Sequence, residues 1–273
     1  CIVNKIKKMR RCTIGKVYRK ESTAKCQIRL REFYQADFDI IGENSTSLVN
    51  EVVLLKLASE FLESENIGSY KILINSTSNL FYMLEKITGK TNFNFKSICS
   101  SIDKLDKVSF DNIVQELKQK GLDENEIELL RVELEKSEPS NPETIEQINK
   151  LKLFASKYGF DSKIQFTPYM ARGLDYYNGM IWEIVLDNFK STVISGGRYD
   201  GLIENTSLVG ISFGLSRMFG LLNSQNENQN KWKQLYMCVT ISNFINLETK
   251  LSIVAKLESK YKTNILINSE EKD

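Results

Sequence analysis

The stretch REFYQADFDIIG, residues 31–42, constrains the fold more than any other part of the sequence. Side chains on a strand alternate between its two faces, so Phe33, Gln35, Asp37 and Asp39 share one side. Glu32, Tyr34, Ala36 and Phe38 share the other. A strand with one polar row and one largely apolar row belongs to a sheet packed on one side only. Its polar row is then either a solvated face or the lining of a site. CTIGKVY (12–18) alternates in the same way and reads as a neighbouring strand. The polar, basic KESTAKCQIRL between them exceeds a tight hairpin turn and suits a long loop.

Further along, SLVNEVVLLKLASEFLES (47–64) carries apolar residues at helical spacing, with Ser47 as its expected N-cap. YKILIN (70–75) reads as a strand and TSNLFYMLEKI as a helix. From about 90 to 160 the pattern becomes helical. SICSSIDKLDKVSFDNIVQELKQKGL and NEIELLRVELEKS are amphipathic, and the breaker EPSNPE, with two of the three prolines, precedes TIEQINKLKLFASKYG. This block reads as a helical insertion within a sheet-based domain spanning 1–222. Strand signals return at KIQFTPY, MIWEIVLD, STVIS and GISFG. NSQNENQNK (223–231) reads as a linker, and residues 232–273 carry a β-α-β pattern.

Histidine is absent from the 273 residues. That removes Ser-His and Cys-His nucleophilic pairs and any His-ligated metal. Chemistry must rest on arginine, carboxylates, tyrosine or backbone groups, or on a metal held by oxygens. The five cysteines (Cys1, Cys12, Cys26, Cys99, Cys238) form no C-x-x-C pair and read as reduced thiols. Thirty-seven Lys+Arg against 35 Asp+Glu leave a net charge of +2, so a nucleic-acid partner would have to meet a local patch. No apolar run reaches the roughly 18–20 residues of a membrane span. CIVNKIKKMRRC at the start is not a signal peptide, and without a leading methionine it reads as the interior of a longer protein.

Three stretches concentrate unusual residues. GKVYRKES puts Arg19 at a strand end with Glu21 close behind; MARGLDYYNGMIWEIV sets Arg172 and two tyrosines before an apolar strand; SGGRYDG pairs with GISFGLSRMFG, where a strand leads into a helix near Arg217. Each has a plain reading. Arg19 can be a solvated charge, GGRYDG a tight turn, and Arg217 a partner for a carboxylate. Neither a dinucleotide fingerprint nor a P-loop occurs.

Read together, GKVYR…REFYQADFDIIG, ARGLDYYNGMIWE, GGRYDGLI and GISFGLSRMF resemble histidyl-tRNA synthetase of the eukaryotic cytosolic type, across nearly the whole chain. The resemblance implies an α+β fold, a class II antiparallel sheet flanked by helices, with an α/β anticodon-binding domain after the linker. It implies ATP with accompanying Mg2+, L-histidine and tRNA(His) as partners, a homodimer, no membrane, and a cytoplasmic location, with organellar use left open. Arg19 would take the α-phosphate and the substrate carboxylate, Glu21 the adenine amino group, and Arg217 the ATP tail. Arg29 also matches a family arginine near ATP. Arg172 would be the additional catalytic arginine, in a role a metal ion fills in many class II enzymes. Gln35 would lie near the substrate amino group, Asp39 and Tyr177 near the imidazole, and Tyr176, Gly196 and Gly197 along the pocket. Lys25 and Arg29 would meet the tRNA acceptor end.

The sequence departs from the family pattern at two positions: Ile28 replaces a loop glycine, and Ser216 replaces the glutamate before the motif 3 arginine. Motif 1, the dimer-building segment, would lie upstream of residue 1. A synthetase-like paralogue that binds tRNA or regulates histidine metabolism is the alternative. Such relatives tend to lose the arginine and tyrosines that RGLDYY retains here.

Overall fold

A computed structural model describes residues 8–20, 30–43 and 47–227, with isolated positions 249, 252, 253 and 256. The chain divides into two units, Cys1–Leu221 and Leu222–Asp273. The β-α-β pattern expected over 232–273 lies outside the described residues, as do Glu21, Lys25, Ile28 and Arg29.

Among the described residues, the first unit is built on one sheet of seven strands: β1 (Met9–Tyr18), β2 (Glu32–Glu43), β3 (Tyr70–Ser76), β4 (Ile164–Phe166), β5 (Met180–Leu186), β6 (Phe189–Arg198) and β7 (Thr206–Phe213). The spatial order is β1-β2-β7-β6-β5-β3-β4. Every neighbouring pair is antiparallel except β3 with β4. With flanking helices this is an α+β fold on a mostly antiparallel sheet, as the sequence implied.

Because directly opposed residues project to the same side, the register sorts the two faces. Across β2, β7, β6, β5 and β3, one row runs Ala36, Phe213, Ile194, Ile184, Ile72, and the next Phe38, Ile211, Gly196, Trp182, Ile74. This is the core face. The helix α1 (Val49–Ser64) covers it, burying Val52, Leu55, Ala58 and Leu62. Phe61 of α1 meets Phe213 edge-on at 5.5 Å between centroids, and Phe38 does so at 5.4 Å. The opposite face carries Asp37, Ser212, Ser195 and Glu183 in one row and Asp39, Gly210, Gly197 and Ile181 in the next. The polar alternation of β2 therefore continues across four strands.

Helix α1 begins differently from the sequence expectation. Ser47 is not its cap: Leu48 holds that position in a left-handed conformation (φ 59°), with no side-chain cap bond. Leu48 is itself 5% exposed, so burial outweighs capping chemistry here. The helical block at 90–160 also divides. Helices α2 (Thr77–Thr88), α3 (Phe95–Ile102), α4 (Asp111–Gln119) and α5 (Glu124–Leu134) share a core of their own that includes Leu84, Ile98, Ile102, Leu117 and Leu130. Helix α6 (Pro142–Ser156) packs against α1 instead. Local chemistry starts these helices: Asn94 accepts from Ser97 N, Asp123 and Glu126 form a reciprocal capping box, and Asn141 precedes Pro142.

The single helix expected over 97–122 is broken. After Ile102 the chain tightens into a 3-10 turn, Asp103–Asp106, before α4. Helix α7 (Leu215–Glu227) continues into the stretch read as linker. Among the described residues, no helix is long and apolar enough to cross a membrane.

Candidate active site

The polar face of the sheet is a hydrogen-bonded surface. Gln35 Nε2 donates to Asp37 Oδ1 at 2.6 Å and to Ser212 Oγ at 3.0 Å, and Ser212 Oγ donates to the same Asp37 oxygen. One row along, Tyr199 OH donates to Asp39 Oδ1 at 2.6 Å, and Arg11 Nη1 lies 3.2 Å from Asp39 Oδ2. Both Asp39 oxygens thus face donors.

Glycines give this row its depth. Gly210 and Gly197 are directly paired beside Asp39. A Cβ at Gly210 would stand 2.6 Å from Asp39 Oδ1, and one at Gly197 would stand 2.8 Å from the Tyr177 ring. Without those carbons the aspartate and the tyrosine lie flat against neighbouring strands. Gly196 serves the other face, where its missing Cβ leaves room for Trp182 Nε1 at 2.7 Å. The side on which a Gly196 side chain would stand is the core, away from the polar row.

The segment 170–178 explains why a polar RGLDYY run precedes an apolar strand. Gly173 adopts φ 67°, and its carbonyl accepts from Tyr176 N at 3.1 Å and from Tyr177 N at 2.8 Å. A Cβ there would meet Tyr177 Cε2 at 2.6 Å, so only glycine permits the turn. The turn folds Tyr177 back over Gly197, with Tyr176 4.3 Å away between centroids and Tyr199 at 6.4 Å. Burial, and then Tyr176, push the Tyr177 hydroxyl up, and burial with the Asp39 bond does the same for Tyr199. Both phenols stay neutral at pH 7. Asp175, by contrast, projects into solvent and pairs with Lys96 at 3.1 Å.

Two of the three arginines singled out in the sequence, Arg217 and Arg172, are joined by a run of contacts. Arg217 Nη1 donates to the Thr192 carbonyl. Thr192 Oγ1 donates to Glu183 Oε2 at 2.9 Å, and Glu183 Oε1 lies 3.1 Å from Arg172 Nε. Arg172 also meets Asp103 Oδ1 at 3.2 Å through Nε, and Asp106 Oδ2 through Nη2. At the other end, Arg19 lies 4.5 Å over the Phe33 ring, and its own N–H donates to Arg31 O at 2.9 Å. Next to Phe33, Tyr34 N donates to Ser216 Oγ at 2.8 Å, beside Arg217. Ser216 thus caps the edge of β2 where that strand outruns β7.

Charge around Arg172 is unbalanced. Burial opposes the Arg172 charge, but Glu183, Asp103 and Asp106 outweigh that and raise its pKa. Burial raises Glu183 and Asp103 above the ordinary carboxylate range despite the guanidinium.

Sequence reasoning did not single out Tyr199, Ser212, Glu183, Asp103 or Asp106. Tyr199 sits inside GGRYDG, but nothing local reveals that it bonds a residue of β2. Arg198 of the same stretch turns to the core face, where Nε donates to buried Glu51 at 2.7 Å. It fastens β6 to α1.

A family model described as histidyl-tRNA synthetase matches residues 2–218. The probable cytoplasmic histidine–tRNA ligase of Encephalitozoon cuniculi is 33% identical over 279 residues, covering 93% of this chain and 63% of that protein. The mitochondrial histidine–tRNA ligase of Bos taurus is 31% identical over 309 residues, covering 96% and 60%. The chain therefore spans less than two thirds of the length of these relatives. The crystal structure of histidyl-tRNA synthetase from Nostoc sp. PCC 7120 aligns with a TM-score of 0.66 at 21% identity, over 99% of this chain and 67% of that one, a likeness of fold.

Proposed function

The chain belongs to the histidyl-tRNA synthetase family, and from that premise we propose that the whole protein is a histidine–tRNA ligase. It joins L-histidine to ATP as histidyl-adenylate, releasing pyrophosphate, and passes the histidyl group to the 3′ end of tRNA(His). The observation that carries this reading is the run of contacts from Arg217 through Thr192 and Glu183 to Arg172, on the sheet face that also holds Gln35 and Asp39.

The chemistry asks for such a face. A carboxylate must approach the α-phosphate of ATP, so two anions meet while negative charge builds on the phosphoryl oxygens. Fixed guanidinium groups lower that barrier, and their planar forks match phosphate and carboxylate oxygens. In this reading Arg19 and Arg172 serve the α-phosphate and the amino-acid carboxylate, and Arg217 the polyphosphate tail. Mg2+ arrives with ATP as part of the substrate. Glu21 and Arg29 act on the nucleotide, and Lys25 with Arg29 on the tRNA end. Gln35 takes the amino group of histidine. Asp39 accepts an imidazole N–H beside the neutral phenol of Tyr177, with Tyr176, Gly197 and the Gly196 backbone completing the pocket. A site built on hydrogen bonds to the ring rejects apolar analogues, because they would leave buried polar groups unpaired.

In the same reading residues 1–222 form the catalytic core, 223–231 the linker and 232–273 part of an anticodon-binding domain. The enzyme is a homodimer working in the cytosol. The test is ATP–pyrophosphate exchange with each of the twenty amino acids, on protein extended to its natural ends. Exchange driven by histidine alone is the expected result. No histidine-dependent exchange would favour a synthetase-like paralogue instead.

A further inference from the structure

The helical insertion reaches Arg172 through two side chains that the sequence reading did not mark. Asp103 and Asp106 occupy the first and last positions of the 3-10 turn after α3. In a 3-10 helix, residues three apart eclipse one another, so both carboxylates present to the same side. That side holds Arg172, with Asp103 on Nε and Asp106 on Nη2. Glu183 of β5 shares Nε from the sheet.

The loop around Arg172 is also packed into the insertion. Ala171 belongs to the apolar cluster of α2–α5, and Leu174 packs against it. Arg172 is therefore gripped from both sides: by the sheet through Glu183, and by the insertion through two aspartates and the neighbouring apolar residues.

Stability alone does not account for three carboxylates on one guanidinium. Glu183 is buried against its charge, Asp103 is partly so, and each further anion repels the others. Restriction of the guanidinium does account for it. Held at Nη2 by a hydrogen bond from one side and at Nε by ion pairs from both sides, the fork is restrained in rotation. Preorganised donors of this kind stabilise a transition state without reorganising as charge develops.

Resting on the ligase reading above, we propose that Asp103 and Asp106 are positioning residues for Arg172, so that the helical insertion orients the catalytic guanidinium. Adenylate formation then depends on the insertion as well as on the sheet.

The test uses the full-length protein with Asp103→Asn and Asp106→Asn combined, isosteric changes that keep volume and remove charge. In histidine-dependent pyrophosphate exchange, we expect kcat to fall about tenfold or more while KM for histidine changes less than about twofold. Asp106→Glu should recover part of the loss. Added to Arg172→Ala, the pair should cost less than about twofold more, because its effect runs through the arginine. An unchanged or raised kcat, or losses that multiply in full with Arg172→Ala, would overturn the proposal. If the parent protein shows no exchange, the ligase reading fails separately. The positional claim is then decided by urea denaturation of the Arg172→Ala and Asp106→Asn variants and their combination. Coupling of severalfold in the folding equilibrium sustains it, and additive losses reject it.

Discussion

Two charge clusters in this molecule have opposite stoichiometry. At Arg172 one guanidinium faces three carboxylates, Asp103, Asp106 and Glu183. In the insertion, one carboxylate, Glu116, faces two ammonium groups, Lys104 and Lys120, each at 2.6 Å. The bonds from Lys104 and then Lys120 hold the Glu116 carboxyl down at about 2. At the other cluster, burial holds Glu183 and Asp103 up. The arrangement at Glu116 joins α4 to its neighbours with cations in excess, and Lys120 also donates to Ser97 O and to the Ser100 and Ser101 hydroxyls. The arrangement at Arg172 keeps anions in excess in a half-buried place. On the proposal above, the difference separates a contact that fastens helices from one that aims a functional group.

Breaking the Arg172 cluster at its centre should have the largest effect. Arg172→Ala is expected to slow adenylate formation about 10²–10³-fold, the scale of losing one fixed oxyanion donor. It should also destabilise the protein by about 1–3 kcal/mol, because three acceptors lose their partner. Single-turnover adenylate formation and urea denaturation measure the two separately. If stability fell and the rate did not, Arg172 would be a fastener like Lys120.

Glu183→Gln sharpens the comparison through pH. A carboxyl with a raised folded pKa binds protons more tightly folded than unfolded. Its folded state is therefore penalised as pH rises through that window. Relative to the parent, Glu183→Gln should gain stability as pH climbs from about 4 towards neutrality, while its exchange rate falls. Glu116→Gln should behave oppositely. The depressed carboxyl contributes stability above its unfolded pKa and loses it as pH falls from the ordinary value near 4.5 to about 2. The loss at neutral pH should be small, about 0.2–1 kcal/mol, as for other solvent-facing ion pairs. Thermal midpoints across the acid range would show the two variants diverging with opposite sign, and parallel curves would erase the distinction. The smallest effect is that of salt. Raising NaCl to about 1 M, where screening acts over about 3 Å, should narrow the gap between Glu116→Gln and its parent more than that between Glu183→Gln and its parent.

Much of this architecture follows from local pattern. The alternation in 31–42 and 12–18 specifies β2 and β1 and the face each residue occupies. The glycine-bounded GISFG run gives the end of β7 and the start of α7. The helical spacing in 47–64 gives α1 to within its first turn. The same pattern puts Gln35, Asp37 and Asp39 in one row, because a period of two is a property of any extended chain. What the pattern misses is decided by burial. Leu48 enters the core and displaces Ser47 as cap, and α6 joins α1 rather than the helices that precede it. The turn at 103–106 breaks a helix that periodicity alone would continue.

By itself, then, the sequence determined that a half-covered sheet carries a polar row, that arginine replaces histidine in whatever chemistry occurs, and which family the motifs resemble. The tertiary structure alone decided the partners: Tyr199 for Asp39, Ser212 for Gln35, Glu183 and two insertion aspartates for Arg172. Which carboxylate meets which cation across 66 positions of chain depends on how helices and strands pack, and no local periodicity encodes a contact between elements that meet only after folding.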